Sequence, residues 1–264
     1  MQGKTKKQAL VFKPYHTGKI WDDNTLKRGL RLFAMTFAVS LMYLLVATAL
    51  SFDIPVLRIV LNLLLIFAVV SMYYFSGTRD GFDDVFAGEI VHQHLQSGVE
   101  EPQKNKDRCF NKVKGVVTGA CACLIPFLVA LVYALLAKKA EYVLQPLPSW
   151  TSPYLTEEGI GAALSYYGQS RTPGAADILR VIVRVMILPW VNIVGTGSAS
   201  NLLTLDRLTP LIMLLPMLSY SLGYLQGPKQ RAMIHGNIAR SIKRRNRKNK
   251  KTIVRKQNEP KQLV

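Results

Sequence analysis

The sequence predicts an all-α, polytopic integral membrane protein: four spanning helices plus one outer interfacial or re-entrant helix. Three observations predict it. The 264-residue chain is 49% hydrophobic yet carries a net charge of +18, a pairing that soluble domains of this size rarely show. Five stretches of 20 or more residues contain no charged residue; four are apolar throughout, and the fifth, Val185–Leu205, has a loop-like second half rich in Gly and Ser. The Lys and Arg residues crowd instead at the two ends, which hold 21 of the 34. Segregation of this kind excludes a disordered polycation, a collagen-like chain and a disulfide scaffold.

The N-terminal segment, 1–31, holds eight Lys/Arg: Lys4, Lys6, Lys7, Lys13, Lys19, Lys27, Arg28 and Arg31. Under the positive-inside rule it is a basic cytoplasmic segment. Its length argues against a cleaved signal peptide and makes the first span an uncleaved anchor. The first apolar window, 32–52, runs for 21 uncharged residues between Arg31 and Asp53. The second, 59–78, runs for 20 between Arg58 and Arg79. About 20 residues at ~1.5 Å each cross ~30 Å of hydrocarbon, so 32–78 reads as a transmembrane hairpin.

Residues 79–114 read as a cytoplasmic amphipathic loop. Phe82, Phe86 and Ile90 recur every four residues, with Asp80, Asp83, Asp84 and Glu89 between them. Glu89 and His92 have the Glu-x-x-His spacing of carboxylate-bridged metal sites, but a di-metal site needs two such motifs on facing helices. One copy predicts a helix along the inner membrane surface or packed on the tail, with no metal and no cofactor.

The third span, 115–137, has 23 uncharged residues between Lys114 and Lys138. Cys121 and Cys123 lie in it, about 200° apart around a helix, and read as packing residues. With Cys109 placed in the cytoplasmic loop, no structural disulfide is expected. Residues 138–207 form an external segment. Its aromatic residues Trp150, Tyr154, Tyr166, Tyr167 and Trp190 suit the interfacial belt. Glu157 and Glu158 are adjacent and do not converge as a catalytic pair, and no Ser sits in a nucleophile-elbow pattern. No catalytic residue is assigned.

Near 178–194 the segment carries an amphipathic helix. Arg180 and Arg184 share one face with Asp177, and each Arg would cost about 2.5–3.5 kcal/mol at mid-span. The helix is therefore placed at the outer interface, or re-entrant. A fifth crossing would put the tail outside. The fourth span, 208–228, lies between Arg207 and Lys229. The tail, 229–264, holds thirteen Lys/Arg and is read as cytoplasmic, so both termini lie inside a cytoplasmic (inner or plasma) membrane.

Function is expected to reside in that tail. Ile234, Ile238 and Ile242 give its first part a helical stripe. The cluster Lys243, Arg244, Arg245, Arg247, Lys248, Lys250 and Lys251 follows. Such a cluster binds anionic lipid headgroups at about 1 kcal/mol per cation near the surface, or the phosphates of a ribosome or another polyanion. Without aromatics in 229–264, sequence-specific nucleic-acid reading is not expected. The chain reads as a non-enzymatic accessory or scaffold protein, open to a membrane-protein complex. The alternative is a transport subunit in which Arg58, Asn62, Arg180 and Arg184 line a path for an anionic solute. A weaker alternative is an enzyme on a lipid-linked substrate at the outer face.

Overall fold

The computed structural model describes residues 10–52, 54–137, 149–157, 159–160, 174–195 and 199–258. Every regular element among them is helical: α1 (Asp23–Ala49), α2 (Pro55–Gln96), α3 (Gln103–Arg108), α4 (Lys114–Leu136), a 3-10 helix (Ser149–Thr156), α5 (Ala175–Met186), α6 (Leu188–Val194), α7 (Ala199–Leu225) and α8 (Gly227–Asn258). Four are long and apolar enough to cross a membrane: α1, α2, α4 and the run of α7 into α8. Less than half of each apolar window is buried. Phe37, Leu45, Phe67 and Leu135 stand exposed on α1, α2 and α4. Outward-facing Phe and Leu along whole helices suit lipid and would be costly in water.

Helix α2 departs most from the sequence expectation. It is one helix of 42 residues, so 79–96 continues the second apolar window without a break. No Pro interrupts the stretch, and Phe82, Phe86 and Ile90 carry the apolar face onward. The acidic residues do not all face water either: Asp80, Asp84 and Glu89 are buried.

The second departure is the segment near 178–194, which is two helices rather than one. Pro189 has no N–H for the Val185 carbonyl, so the helix stops at Met186 and restarts at Leu188. At 12 and 7 residues, these helices are about 18 and 10 Å long, short of a ~30 Å crossing.

The chain divides into two compact units, and α1, α2, α4 and α7 each contribute a stretch to both. One unit comprises Met1–Gly29, Ser71–Cys121 and Pro216–Val264. Here Asp22 caps α1, accepting from the Thr25 amide at 2.7 Å and its hydroxyl at 2.6 Å. The extended segment before α1 is strapped to its neighbours. Val11 N–H donates to Ala232 on α8, His16 N–H to Gly88 on α2, and Gly18 N–H to Phe110. The Phe110 ring stacks on Tyr224 at 5.1 Å.

The other unit comprises Leu30–Val70 and Ala122–Leu215. Its core joins α4 and α7 to the short helices. Ile187 and Val191 pack with Ala130, Leu202, Leu205 and Met213, and Val183 packs with Tyr133 and Ala137.

Candidate functional site

The basic tail emerges from a close parallel pairing of α2 with α7 and the start of α8. Two Gly-x-x-x-Gly spacings face each other, Gly77 and Gly81 against Gly223 and Gly227. A Cβ on Gly77 or Gly81 would collide with the carbonyl oxygen of Tyr220 or Tyr224, and one on Gly223 with that of Tyr74. A Cβ on Gly227 would strike the Gly81 backbone. Small residues are what allow two helices to approach this closely. The residue numbers on both sides rise together, so the helices run parallel.

Buried polar groups lock this register. Tyr220 donates its hydroxyl hydrogen to Asp80 at 2.8 Å, and Tyr224 donates to Asp84 at 2.6 Å. Arg28 of α1 grips Asp84 with two nitrogens, at 2.7 and 2.8 Å, and its Nε lies 3.9 Å from Asp80. Lys114, at the start of α4, has a fully buried side chain. Its Nζ lies 2.9 Å from Asp22 and 3.9 Å from Asp84, and also donates to the carbonyls of Asp107 and Arg108. Three carboxylates thus share two cations, with further donors from the Tyr220 and Tyr224 hydroxyls and from Thr25. Burial pushes the Asp22 carboxyl upward, but hydrogen bonds from Thr25 and Lys114 and the charge of Lys114 outweigh it. The group is held below its ordinary range. Burial pushes the Cys109 thiol up to about 11, and its Sγ donates to the Asn105 carbonyl at 3.3 Å.

Further along the pair, Glu89 accepts from Arg231 at 2.9 Å and contacts His235 at 2.8 Å. The Arg231 guanidinium also lies over the Phe82 and Phe86 rings, at 5.2 and 4.5 Å. Glu89 is therefore committed to the tail and not to His92. These contacts fix the root of α8 along α2. Their sequence offsets are 142 and 146, which puts Gln96, the end of α2, level with about Ile242 at the furthest. The helix continues beyond that level to Asn258. Lys243, Arg244, Arg245 and Arg247 are exposed there and make no ion pair among the described residues. The side chains of Lys248, Lys250 and Lys251 lie outside the described residues.

The four residues of the expected solute path fall into two groups in the other unit. Asn62 is fully buried. Its amide donates to the Arg58 carbonyl at 2.8 Å, and its oxygen accepts from Asn192 at 3.3 Å. Asn192 also donates to the Ala47 carbonyl at 2.6 Å, so the two amides tie α6 to the ends of α1 and α2. Arg58 reaches toward Gly195. In the second group, Arg184 holds Asp206 of α7 with two bonds, at 3.2 and 2.8 Å, and Arg180 pairs with Asp177 at 3.4 Å. Arg184 thus faces a carboxylate on a neighbouring helix, where the amphipathic pattern alone turns it away from the apolar side.

The chain matches no protein-family model, no curated protein and no solved structure.

Several residues that organise the site are not singled out by motif or periodicity. The two Gly-x-x-x-Gly spacings are visible in the sequence, as are the matched four-residue spacings of Asp80 with Asp84 and Tyr220 with Tyr224. Asp206, the lone acid beside the fourth apolar window, is the available signal for a partner to an arginine. Nothing in the sequence points to Asn192 or to the strap.

Proposed function

We propose that the chain is a multi-pass membrane scaffold or accessory protein whose basic helical tail engages a polyanion from the cytoplasmic side, either anionic lipid headgroups or a polyanionic partner. The observation that carries this reading is the state of Lys243, Arg244, Arg245 and Arg247. They are exposed on a helix whose root is held by Glu89 and the facing glycines, and no carboxylate among the described residues neutralises them. A cluster presented this way keeps its charge available for an external anion. The asymmetry of charge supports the cytoplasmic placement, since thirteen Lys/Arg follow the last apolar window and eight precede the first. The transport reading draws less from the geometry, because Arg184 is held by Asp206 and Asn62 by Asn192 and backbone carbonyls.

Chromatography on immobilised heparin tests the reading. Full-length protein in a neutral detergent should elute at markedly higher salt than a variant ending at Ile242. Equal elution of the two would remove the tail's proposed role.

A further inference from the structure

We propose that the tail is a stalk-borne grip for the phosphate backbone of a nucleic-acid duplex, held clear of the lipid surface. The inference rests on the polyanion reading above and narrows it to one partner class. Its first support is the length of α2. The helix runs unbroken from Pro55 to Gln96, and its uncharged window ends at Thr78. Glu89 stands eleven residues past that window, about 16 Å along the axis. Arg231 and His235 of α8 are bonded to Glu89, so α8 follows α2 away from the hydrocarbon and does not turn along it. Lys243 lies eight residues beyond His235, about 12 Å further. The basic cluster therefore begins about 28 Å past the second apolar window and, counted along its own helix from the end of the fourth window at Pro228, about 22 Å past that one; a 40° tilt still leaves about 21 and 17 Å. The headgroup layer accounts for about 5–8 Å of this. The remainder exceeds the ~8 Å screening length of physiological salt, so fixed lipid charges are screened from the cluster.

The second support is charge density. Seven of the nine residues from Lys243 to Lys251 are Lys or Arg. On α8, which stays helical as far as Asn258, this is one cation per about 2 Å of axis. A nucleic-acid duplex carries one phosphate per about 1.7 Å of axis. An extended acidic strand offers at most one charge per ~3.3 Å and matches less well; a fully acidic helix, at one per ~1.5 Å, reaches the same density, and the polyglutamate competitor below separates it from a duplex. The third support is what the tail lacks. Residues 229–264 contain no Phe, Trp or Tyr, so there is no platform for stacking unpaired bases. A duplex, whose bases are already stacked, asks only for cations along its backbone.

The test uses full-length protein in nanodiscs of neutral lipid, with fluorescently labelled 20-base-pair RNA and DNA duplexes in separate arms. Binding should show a steep salt dependence, with log K falling by about 0.9 per phosphate contact for each decade of salt. The combined variant K243Q, R244Q, R245Q and R247Q should reduce that slope by about 3.6 and lower affinity at 0.1 M salt by about three orders of magnitude. Binding of either duplex in this pattern supports the proposal, and the two arms show which nucleic acid is preferred. Trypsin cleavage within 243–251 should be equally fast in neutral and anionic nanodiscs, and slowed by added duplex. Protection by anionic lipid alone, displacement of the duplex by polyglutamate at equal charge, or an unchanged slope in the variant would each overturn it. If heparin binding depends on the tail but duplex binding does not, only this inference falls. If neither depends on the tail, the proposed function falls with it.

Discussion

Asp84 is the residue on which most of the buried network converges. It accepts from Arg28 through both oxygens and from Tyr224, and Lys114 stands 3.9 Å away. A buried carboxylate between two cations contributes little net stability over an apolar filling, but removing it strands both cations. Asp84→Ala should therefore destabilise the protein by about 3–5 kcal/mol. Tyr224→Phe deletes one hydroxyl bond and should cost about 0.5–1.5 kcal/mol. In the Asp84→Ala background Tyr224→Phe should cost nearly nothing more, because the acceptor is already gone. Unfolding in increasing SDS measures all three. Additive losses would mean that the hydroxyl's contribution does not pass through Asp84. At this scale the sequence is only partly readable. Asp80 and Asp84 are visible as acids on an amphipathic helix, and the default place for such acids is the wet face. Which face is wet depends on Arg28, 56 residues earlier than Asp84, and Tyr224, 140 later, and local periodicity carries no information about either.

The pairing of α2 with α7 and α8 is decided by glycines. Close approach of two helices replaces side-chain contacts with backbone-to-backbone ones, so the penalty for adding atoms falls on backbone that cannot swing aside. Gly81 is constrained twice over, since its added Cβ would meet the carbonyl and Cα of Tyr224, and a Cβ on Gly227 would meet the Gly81 backbone. Gly81→Leu should therefore separate the helices, break the Asp84–Tyr224 and Glu89–Arg231 contacts and release the root of α8. Limited trypsin digestion should then cut at Arg231, which in the parent is held against Glu89 and the Phe82 and Phe86 rings. Unchanged resistance at Arg231 would show that the glycines do not set the pairing. Element lengths are legible to different degrees for physical reasons. The gaps between charges locate four apolar windows, because hydrocarbon thickness imposes a length that polar residues interrupt. The same gaps end the second helix at Arg79, because they record where lipid stops, and a helix supported by a partner helix need not stop there. The break before Pro189 is the opposite case. A missing amide hydrogen is a local property, present in the sequence but masked by the amphipathic pattern around it.

For the whole molecule the governing quantity is the parity of crossings. Two strongly basic ends favour the same side, and four helices long and apolar enough to span, if each crosses once, would return the chain to the side it started from. Among the described residues, a fifth crossing would have to come from α5 and α6, which together have 19 residues but are interrupted between Met186 and Leu188. It would also carry Arg180 and Arg184 into the bilayer, and although Asp206 compensates one of them, both would have to leave water. Single cysteines at Lys13, Glu157 and Arg245, in a background with Cys109, Cys121 and Cys123 replaced by Ala, read the parity directly. All three positions are exposed, so labelling reports sidedness and not burial. A membrane-impermeant maleimide applied to intact cells should label the cysteine at 157 and reach those at 13 and 245 only after permeabilisation. Labelling at 245 from outside would require an odd number of crossings and would place the tail where neither a ribosome nor cytoplasmic nucleic acid can meet it. The partner class of the tail therefore depends on parity as much as on its charge density, and a single outside label at 245 would remove both.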